Sequence, residues 1–291
     1  LWEGKQSMKS GIVLEGGAIR TIFSTGVCDA LLTRGLMTDY VIGVSAGIAY
    51  GVSYVSKQSR RNLDIMVRYI NDKRYMGWEN LLRRGNHAYF GLDFVFETIP
   101  KQLVPFDYDT FAAYPGEVEA VVTNMDTGRP EYFPVERGDD RLKLLQATCA
   151  LPFLFPVYTI QGRPYMDGGA SDAIPFERAF AKGCDRLIIV LTRERGYVRR
   201  PEKLQHLIDL AYHKYPGFCE AMRHRADTYN RVRGQLFQLE REGKVLLFAP
   251  KSTVGFHRTE RDIDKIKALW QDGYDQGIAR LDEVETFLKG M

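Results

Sequence analysis

One turn in the sequence limits the fold more than any other feature. Tyr40–Val44 is a run of apolar and β-branched residues, and the stretch 46–54 is compatible with a helix. Between them stands Gly-Val-Ser-Ala-Gly, in which Gly43 and Gly47 flank Ser45. A strand, a tight glycine turn around a serine and a helix form the pattern of a nucleophile elbow. The pattern predicts a parallel α/β sheet with a reactive serine at the start of a helix.

The rest of the sequence repeats the alternation of strands and helices. The run 11–15 is apolar and ends in glycines, and helical spacing follows from Ile22 to Leu32. The runs 186–191 and 244–249 are apolar, as in a parallel sheet covered on both faces. We therefore expect an α/β fold of three layers around a mostly parallel central sheet. Further predicted elements are strands at Val118–Asn124 and Glu131–Pro134, a helix through Leu142–Ala147, mainly helical structure over 60–115, and a terminal helix that opens at a Thr259–Asp262 capping box and runs to about Leu288.

The charge balance and the apolar runs exclude two classes of protein. The 291 residues include 40 basic and 37 acidic side chains, which is too balanced for a nucleic-acid-binding protein. No apolar run approaches the ~18 residues of a membrane span, and residues 1–7 do not form a signal peptide. Basic clusters at 57–61 and 193–200 are typical of solvated loop charge. The alternative is a patch that meets anionic lipid headgroups, which would place any membrane contact at the inner membrane surface.

The cysteines indicate a reducing compartment. They are scattered and form no C-x-x-C pair, so we predict reduced thiols, a cytoplasmic location and no metal site. The four are Cys28, Cys149, Cys184 and Cys219.

A serine at an elbow needs a group that takes its proton. Histidine is the usual partner, and among the five histidines His257 is the best placed, because it follows a predicted strand. Asp167 is the stronger candidate, since Gly168 and Gly169 let its carboxylate stand close to another backbone segment. A partly buried carboxylate with a raised pKa can act as a general base. Asp172 is the second choice, and Asp-Gly alone is also a common β-turn signal.

Acyl transfer also needs donors for a developing oxyanion. Gly16, Gly17 and Ala18 follow the first predicted strand, and their N–H groups can point into a cavity. Arg20 can fix this loop or add positive charge near an anionic substrate. A glycine-rich turn can instead cradle a phosphate, but this segment lacks the P-loop pattern and departs from G-x-G-x-x-G at Ala18 and Thr21.

Three segments occur in a characteristic order: G-G-A-I-R at 16–20, G-V-S-A-G at 43–47 and D-G-G at 167–169. Together they resemble the patatin-like phospholipase family, and most closely a bacterial cytoplasmic branch of it. The resemblance extends from about Gly11 to Arg195 and includes the apolar segment T-C-A-L-P-F-L-F-P at 148–156.

The resemblance implies a patatin-like fold and a serine lipid acyl hydrolase without a catalytic histidine. Ser45 matches the family's nucleophile and Asp167 its base. The implied reaction is carboxylic ester hydrolysis of the phospholipase A or lysophospholipase type, through an acyl-enzyme and without a metal or organic cofactor.

The resemblance also assigns the oxyanion hole to the loop of Gly16, Gly17 and Ala18, with Arg20 as its basic residue. Two positions depart from the family pattern. The family's third glycine is Ala18 here, so its φ must be allowed for a residue with a Cβ. The glycine that usually follows the basic residue is Thr21.

An acyl chain needs an apolar pocket. We expect its lining from Leu151, Phe153, Leu154 and Phe155, with aromatic residues of the segment 90–96. Such residues are equally typical of an ordinary core.

Two other functions fit the same sequence. One is an acyltransferase that passes the acyl group to an alcohol or thiol, although malonyl-type transacylases carry histidine where this chain has Val44. The other is a non-hydrolytic lipid-binding or regulatory module. We further expect a catalytic core over 8–200 and a mainly helical C-terminal extension over 201–291, packed on the same domain.

Overall fold

The computed structural model describes residues 8–136 and 141–290. Within these ranges the strands are β1 (Ser10–Leu14), β2 (Tyr40–Val44), β3 (Glu117–Asn124), β4 (Pro130–Pro134), β5 (Tyr158–Ile160), β6 (Arg163–Asp167), β7 (Arg186–Val190) and β8 (Val245–Phe248). The α-helices are α1 (Ile22–Leu32), α2 (Ala46–Val55), α3 (Arg61–Tyr69), α4 (Glu79–Leu82), α5 (Tyr108–Ala113), α6 (Arg141–Thr148), α7 (Phe176–Ala181), α8 (Gln205–Ala211), α9 (Pro216–Arg241), α10 (Ile263–Ala279) and α11 (Leu281–Lys289). A π-helical segment spans Phe94–Leu103. Residues 1–7, for which no signal peptide is predicted, lie outside the described ranges.

A single sheet organises these elements. Its strand order is β5-β6-β3-β2-β1-β7-β8, and β4 also pairs with β3. Strands β3, β2, β1, β7 and β8 are mutually parallel. Strands β4 and β6 run antiparallel to β3, and β5 runs antiparallel to β6. The prediction of a mostly parallel central sheet is confirmed.

Helices cover both faces of this sheet. Side chains alternate along β1, so that Ile12 and Leu14 join the core under α1 and α10, while Val13 joins the core under α7 and α9. Every residue of β1 and β2 is buried, as expected for central strands with helices on either side. The three-layer prediction is therefore confirmed.

The C-terminal part packs on the same layers as the N-terminal part. Strand β8 extends the sheet next to β7. On one face α10 lies against α1, where the Trp270 indole N–H donates to Asp29 Oδ2 at 2.8 Å. The domain boundary expected near residue 200 therefore does not separate two independent cores.

The terminal helix begins differently from the prediction. Asp262, with an extended backbone, is the N-cap of α10, and its carboxylate accepts from the N–H groups of Asp264 and Lys265. The prediction of a capping box with Thr259 as the N-cap is therefore wrong, because the Asp262 carboxylate accepts from the first unpaired N–H groups of the helix. The helix is also not continuous to Leu288, since it is interrupted at Arg280 before α11 begins.

Candidate active site

Ser45 occupies a strained turn between β2 and α2. Its φ of 55° and ψ of −134° lie outside the common regions for a residue with a Cβ, which costs on the order of 1–3 kcal/mol. The flanking glycines make the turn possible. A Cβ on Gly47 would stand 2.3 Å from the Leu14 carbonyl oxygen, and one on Gly43 would stand 2.7 Å from the Ile48 nitrogen. The elbow predicted from the sequence is thus formed by close backbone packing.

A buried threonine holds the elbow from the side. The Ser45 N–H donates to Thr148 Oγ1 at 2.9 Å, and the same hydroxyl donates to the Val121 carbonyl oxygen at 2.5 Å. Thr148 is fully buried at the end of α6. Its hydroxyl therefore connects the elbow to β3. Thr148 opens the apolar segment 148–156, and the sequence alone predicts no role for it.

Strand register brings Ser45 and Asp167 together. Val44, the last residue of β2, pairs with Val121 of β3, and the next residue of β3, Val122, pairs with Asp167 at the end of β6. Ser45 and Asp167 therefore lie at the same level on either side of β3. Neighbouring strands are about 4.8 Å apart, so the two side chains can meet across a single strand.

The Asp167 carboxylate is buried, with 3% of the residue exposed. Its Oδ1 accepts from the Gly169 N–H at 2.7 Å, whereas Oδ2 has no hydrogen-bond partner among the described residues. Burial raises the pKa of Asp167. The Arg225 guanidinium, the Ser45 hydroxyl, the Gly169 N–H and Arg258 all oppose this rise. The Asp167 carboxylate is thus close enough to Ser45 for the serine hydroxyl to affect its pKa. Its Oδ2 accepts no hydrogen bond from a described residue.

The loop after β1 lies directly against the elbow. A Cβ on Gly16 would stand 3.0 Å from the Ser45 Cβ. The N–H groups of Gly16, Gly17 and Ala18 form no hydrogen bond within the part of the chain that the structure describes. Ala18 has a φ of 50°, in the left-handed region, and lines the same cavity as Ser45. The loop therefore offers unpaired donors next to the serine, although the family's third glycine is missing.

Arg20 lies behind this loop and is almost fully buried. Its guanidinium makes no hydrogen bond or ion pair with any described residue, and its Nε is fully shielded. Burial and the neighbouring Arg193 and Arg258 lower the pKa of Arg20 to about 10. The predicted basic residue thus lies among other cations.

An apolar cavity of about 140 Å³ opens beside Ser45. Leu151 and Phe155 line it, as predicted, together with Phe90, Val95 and Phe96 from the segment 90–96. Leu154 and Phe153 are not part of its lining.

The Phe153 side chain points elsewhere. It is 45% exposed and packs on the Tyr212 ring with centroids 5.6 Å apart, while its N–H donates to the Tyr212 hydroxyl. Its φ of 64° turns the chain at this point, so that Leu151 and Phe155 face the cavity and Phe153 does not.

Cys149 lines the cavity as well, although its sequence context predicts no place in the site. Its thiol lies in the cavity lining with Ser45, and burial and the charge of Asp167 raise its pKa. The residue follows Thr148 directly in the sequence. No feature of the sequence alone distinguishes this cysteine from the other three.

The other candidate bases lie away from Ser45. All five histidines fall within the described residues and are exposed, and none lines the cavity. His257 is among them, with its backbone in a turn closed by Glu260. Asp172 accepts from the Tyr132 hydroxyl at 2.9 Å, and burial raises its pKa to about 6. Of the carboxylates considered, Asp167 is the one beside the elbow.

Residues 8–136 and 141–290 contain no group of three or more His, Cys, Asp or Glu side chains that could hold a metal ion. In the same ranges, no helix has both the length and the apolar character that a membrane crossing requires.

A parallel α/β sheet with a serine elbow after a central strand defines a class of proteins with a nucleophile-elbow architecture. Within that class, a model of the patatin-like phospholipase family matches residues 12–180, and the chain belongs to this family. A second model, of a domain family of unknown function called DUF6363, matches residues 215–289.

Two individual proteins are similar to the chain. The Escherichia coli K12 protein YjjU, whose description is "uncharacterized", is 28% identical over 192 residues, or 64% of this chain. The chain spans about half, 53%, of that relative. The crystal structure of VipD from Legionella pneumophila aligns with a TM-score of 0.50 at 15% identity, over 95% of this chain and 67% of that chain. This likeness supports the fold, including the helical C-terminal region.

Proposed function

We propose that the chain is a lipid acyl hydrolase that uses a Ser45–Asp167 dyad. The main support is the buried Asp167 carboxylate, whose unpaired Oδ2 lies across one strand from the strained serine. Membership of the patatin-like phospholipase family supports a lipid as the substrate. The exposed positions of all five histidines support a base other than histidine.

The proposed reaction begins when Asp167 Oδ2 takes the Ser45 hydroxyl proton and Ser45 Oγ attacks the ester carbonyl carbon. The carbonyl oxygen gains negative charge and accepts hydrogen bonds from N–H groups of Gly16, Gly17 or Ala18. The ester C–O bond then breaks, and Asp167 returns the proton to the leaving alcohol. Water, deprotonated by the same carboxylate, then attacks the acyl-enzyme. The bond between the acyl carbon and Ser45 Oγ breaks, Asp167 returns the proton to Ser45 Oγ, and the fatty acid is released.

The cavity supports an acyl chain as the group that is transferred. The cavity volume of about 140 Å³ has room for on the order of ten water-sized groups. Most of the side chains that line the cavity are apolar. A chain of medium length would bury its methylenes there, at about 0.8 kcal/mol each. We expect octanoyl or decanoyl esters to be cleaved with a higher kcat/KM than acetyl esters.

We also propose that 8–200 and 201–291 function as one unit that works at a lipid surface. Strand β8 completes the sheet, and Arg225 of α9 reaches the loop after Asp167. Leu207 and Leu210 of α8 are exposed near the half-exposed Phe153 and Tyr212. Exposed apolar residues of this kind often mark contact with lipid.

Hydrolysis of a p-nitrophenyl ester series by purified protein tests the proposal. We expect Ser45→Ala and Asp167→Asn to remove nearly all activity, and the matched control His257→Ala to retain it. Loss of activity in a folded His257→Ala protein would instead indicate a triad.

A fluorophosphonate probe separates the two alternative functions from hydrolysis. A lipid-binding module would not be labelled at Ser45, whereas a hydrolase or an acyltransferase would. Product analysis with glycerol as an added acceptor then distinguishes these two, because an acyltransferase would yield mainly acylglycerol rather than free fatty acid.

A further inference from the structure

A second cleft, of about 550 Å³, lies beside the candidate active site. Among its lining residues, Glu202 is the one acidic side chain, against five cations. We call this cleft the arginine cleft. Its five cations are Arg199, Arg200, Lys203, Arg225 and Arg258. A concave surface with this charge excess focuses a positive potential and attracts anions.

The charges of Asp167 and Glu202 act on Arg225, but the cations of the arginine cleft are not held in direct ion pairs with described residues. None of them forms an ion pair within residues 8–136 and 141–290. The Arg199 guanidinium lies over the Tyr229 ring at 4.1 Å, and its buried Nε has no hydrogen-bond partner there. Burial, Arg199 and Arg258 together lower the pKa of Arg225 to about 9. Like charges held this close repel one another, and the cations outnumber the acidic side chain of the lining, so a ligand of negative charge would relieve the repulsion.

The arginine cleft borders the proposed dyad and the oxyanion loop. Arg225 Nε donates to the Gly169 carbonyl oxygen, two residues after Asp167. The Arg258 carbonyl oxygen accepts from the N–H of Ile19, which follows the oxyanion loop. Arg225 and Arg258 also belong to the segment matched by the second family, 215–289. An anion in the cleft would therefore lie close to an ester held at Ser45.

We propose that the arginine cleft binds the phosphate of a glycerophospholipid or lysophospholipid while the acyl ester lies at Ser45. This inference rests on the proposed hydrolase function and names its substrate class. Arginine forks match phosphate oxygens in bidentate geometry, and in a glycerolipid only a few bonds separate phosphate and ester. The second family segment would then supply substrate recognition to the catalytic segment.

The test compares two lipids that differ only in phosphate: dioctanoyl phosphatidic acid and dioctanoylglycerol, both kept below the concentration at which they aggregate. Monomeric lipids separate recognition in the cleft from attraction to a charged surface. The variants are Arg199→Gln, the conservative Arg199→Lys, and the control Arg231→Gln on the exposed side of α9. The readout is the ratio of kcat/KM for the two lipids.

We expect Arg199→Gln to lower this ratio by about tenfold or more, the usual effect of losing one charge-assisted hydrogen bond. Arg199→Lys should recover part of the ratio, and Arg231→Gln should leave it at the wild-type value. An unchanged ratio in Arg199→Gln would overturn the inference. So would equal losses on both lipids, because Arg199 would then act through the fold or the dyad.

Binding measurements separate this inference from the hydrolase proposal. Dioctanoyl phosphatidic acid is titrated calorimetrically into Ser45→Ala and into Ser45→Ala with Arg199→Gln. If the wild type cleaves no ester but the second variant binds at least about tenfold more weakly, the phosphate site stands and the hydrolase proposal fails. If inorganic phosphate binds as tightly as the lipid, the cleft recognises a free anion, and the headgroup assignment is overturned.

Discussion

The tether between Thr148 and the elbow gives the sharpest test of how the site is held. Thr148→Val keeps the shape and β-branching of the side chain but removes the hydroxyl. The Ser45 N–H then loses its acceptor at 2.9 Å, and the Val121 carbonyl loses a donor at 2.5 Å. Thr148 is fully buried, and Ser45 is 7% exposed, so water cannot replace either bond without local opening.

The expected cost follows from these two bonds. A buried N–H without a partner costs about 1–3 kcal/mol, and the second hydrogen bond contributes about 0.5–1.5 kcal/mol. We therefore expect Thr148→Val to lower the free energy of unfolding by about 1.5–4.5 kcal/mol, a large share of the roughly 5–15 kcal/mol typical of folded proteins. The released elbow should also lower kcat on the order of tenfold, since small misplacements of a nucleophile are costly.

Urea titration and ester hydrolysis measure the two effects. Thr148→Ser is the matched control, because it keeps the hydroxyl and loses only a methyl group, worth about 1 kcal/mol. We expect the valine variant to lose kcat at nearly constant KM, and the serine variant to retain both. If the valine variant matched the serine variant in stability and in kcat, Thr148 would not hold the elbow.

Three other changes test separate features of the site. Because burial raises the pKa of Asp167 and Arg225 opposes the rise, a pH–rate profile should lose kcat/KM as pH falls through a value above the usual aspartate range. Arg225→Gln should move this acid limb to higher pH and Arg225→Lys should not; a limb that moved to lower pH would contradict the assignment. Alkylation of Cys149 with N-ethylmaleimide should block hydrolysis slowly, since the raised pKa of this thiol limits its reactivity, whereas Cys149→Ala should remain active in the reagent. Ala18→Gly should remove about 1–2 kcal/mol of left-handed strain, and the greater freedom of glycine in the unfolded chain should cost about 0.4–1 kcal/mol. Urea titration should therefore show a gain in stability of up to about 1.6 kcal/mol. A clear loss of stability would show that the Ala18 Cβ contributes packing that outweighs its strain.

The local features of the sequence predicted most of the sheet. Helix α1 begins and ends where its spacing predicted, and β2 has the predicted bounds. These elements follow from apolar periodicity and glycine turns, which act within a few residues. The start of α10 was predicted wrongly, because Thr259 and Asp262 are both good capping residues and only the backbone at Asp262 decides between them.

The site depends on contacts that no local pattern contains. Ser45 and Asp167 are 122 residues apart in the sequence, and they meet because both flank β3 in a particular register. The glycines after Asp167 made it the stronger candidate, and the resemblance to a family then assigned it as the base, whereas the residues alone left His257 and Asp172 as alternatives. Phe153 shows the limit in the other direction. It belongs to an apolar run of which Leu151 and Phe155 line the cavity, but its own positive φ turns its side chain away.

The arginines show why the C-terminal part matters to the chemistry at Ser45. Arg225 stands in a long, polar helix, where its neighbours in the sequence suggest an exposed surface cation. The structure packs α9 against the turn Gly168–Ala170 that follows β6 instead, so that Arg225 reaches the Gly169 carbonyl and acts on the pKa of Asp167. A charge placed there stabilises the carboxylate that we propose as the acceptor of the serine proton, and Arg225 also lines the arginine cleft. The same helix that completes the core thus adjusts the proposed base and, with Arg199 and Arg258, forms the surface on which a phosphate would bind.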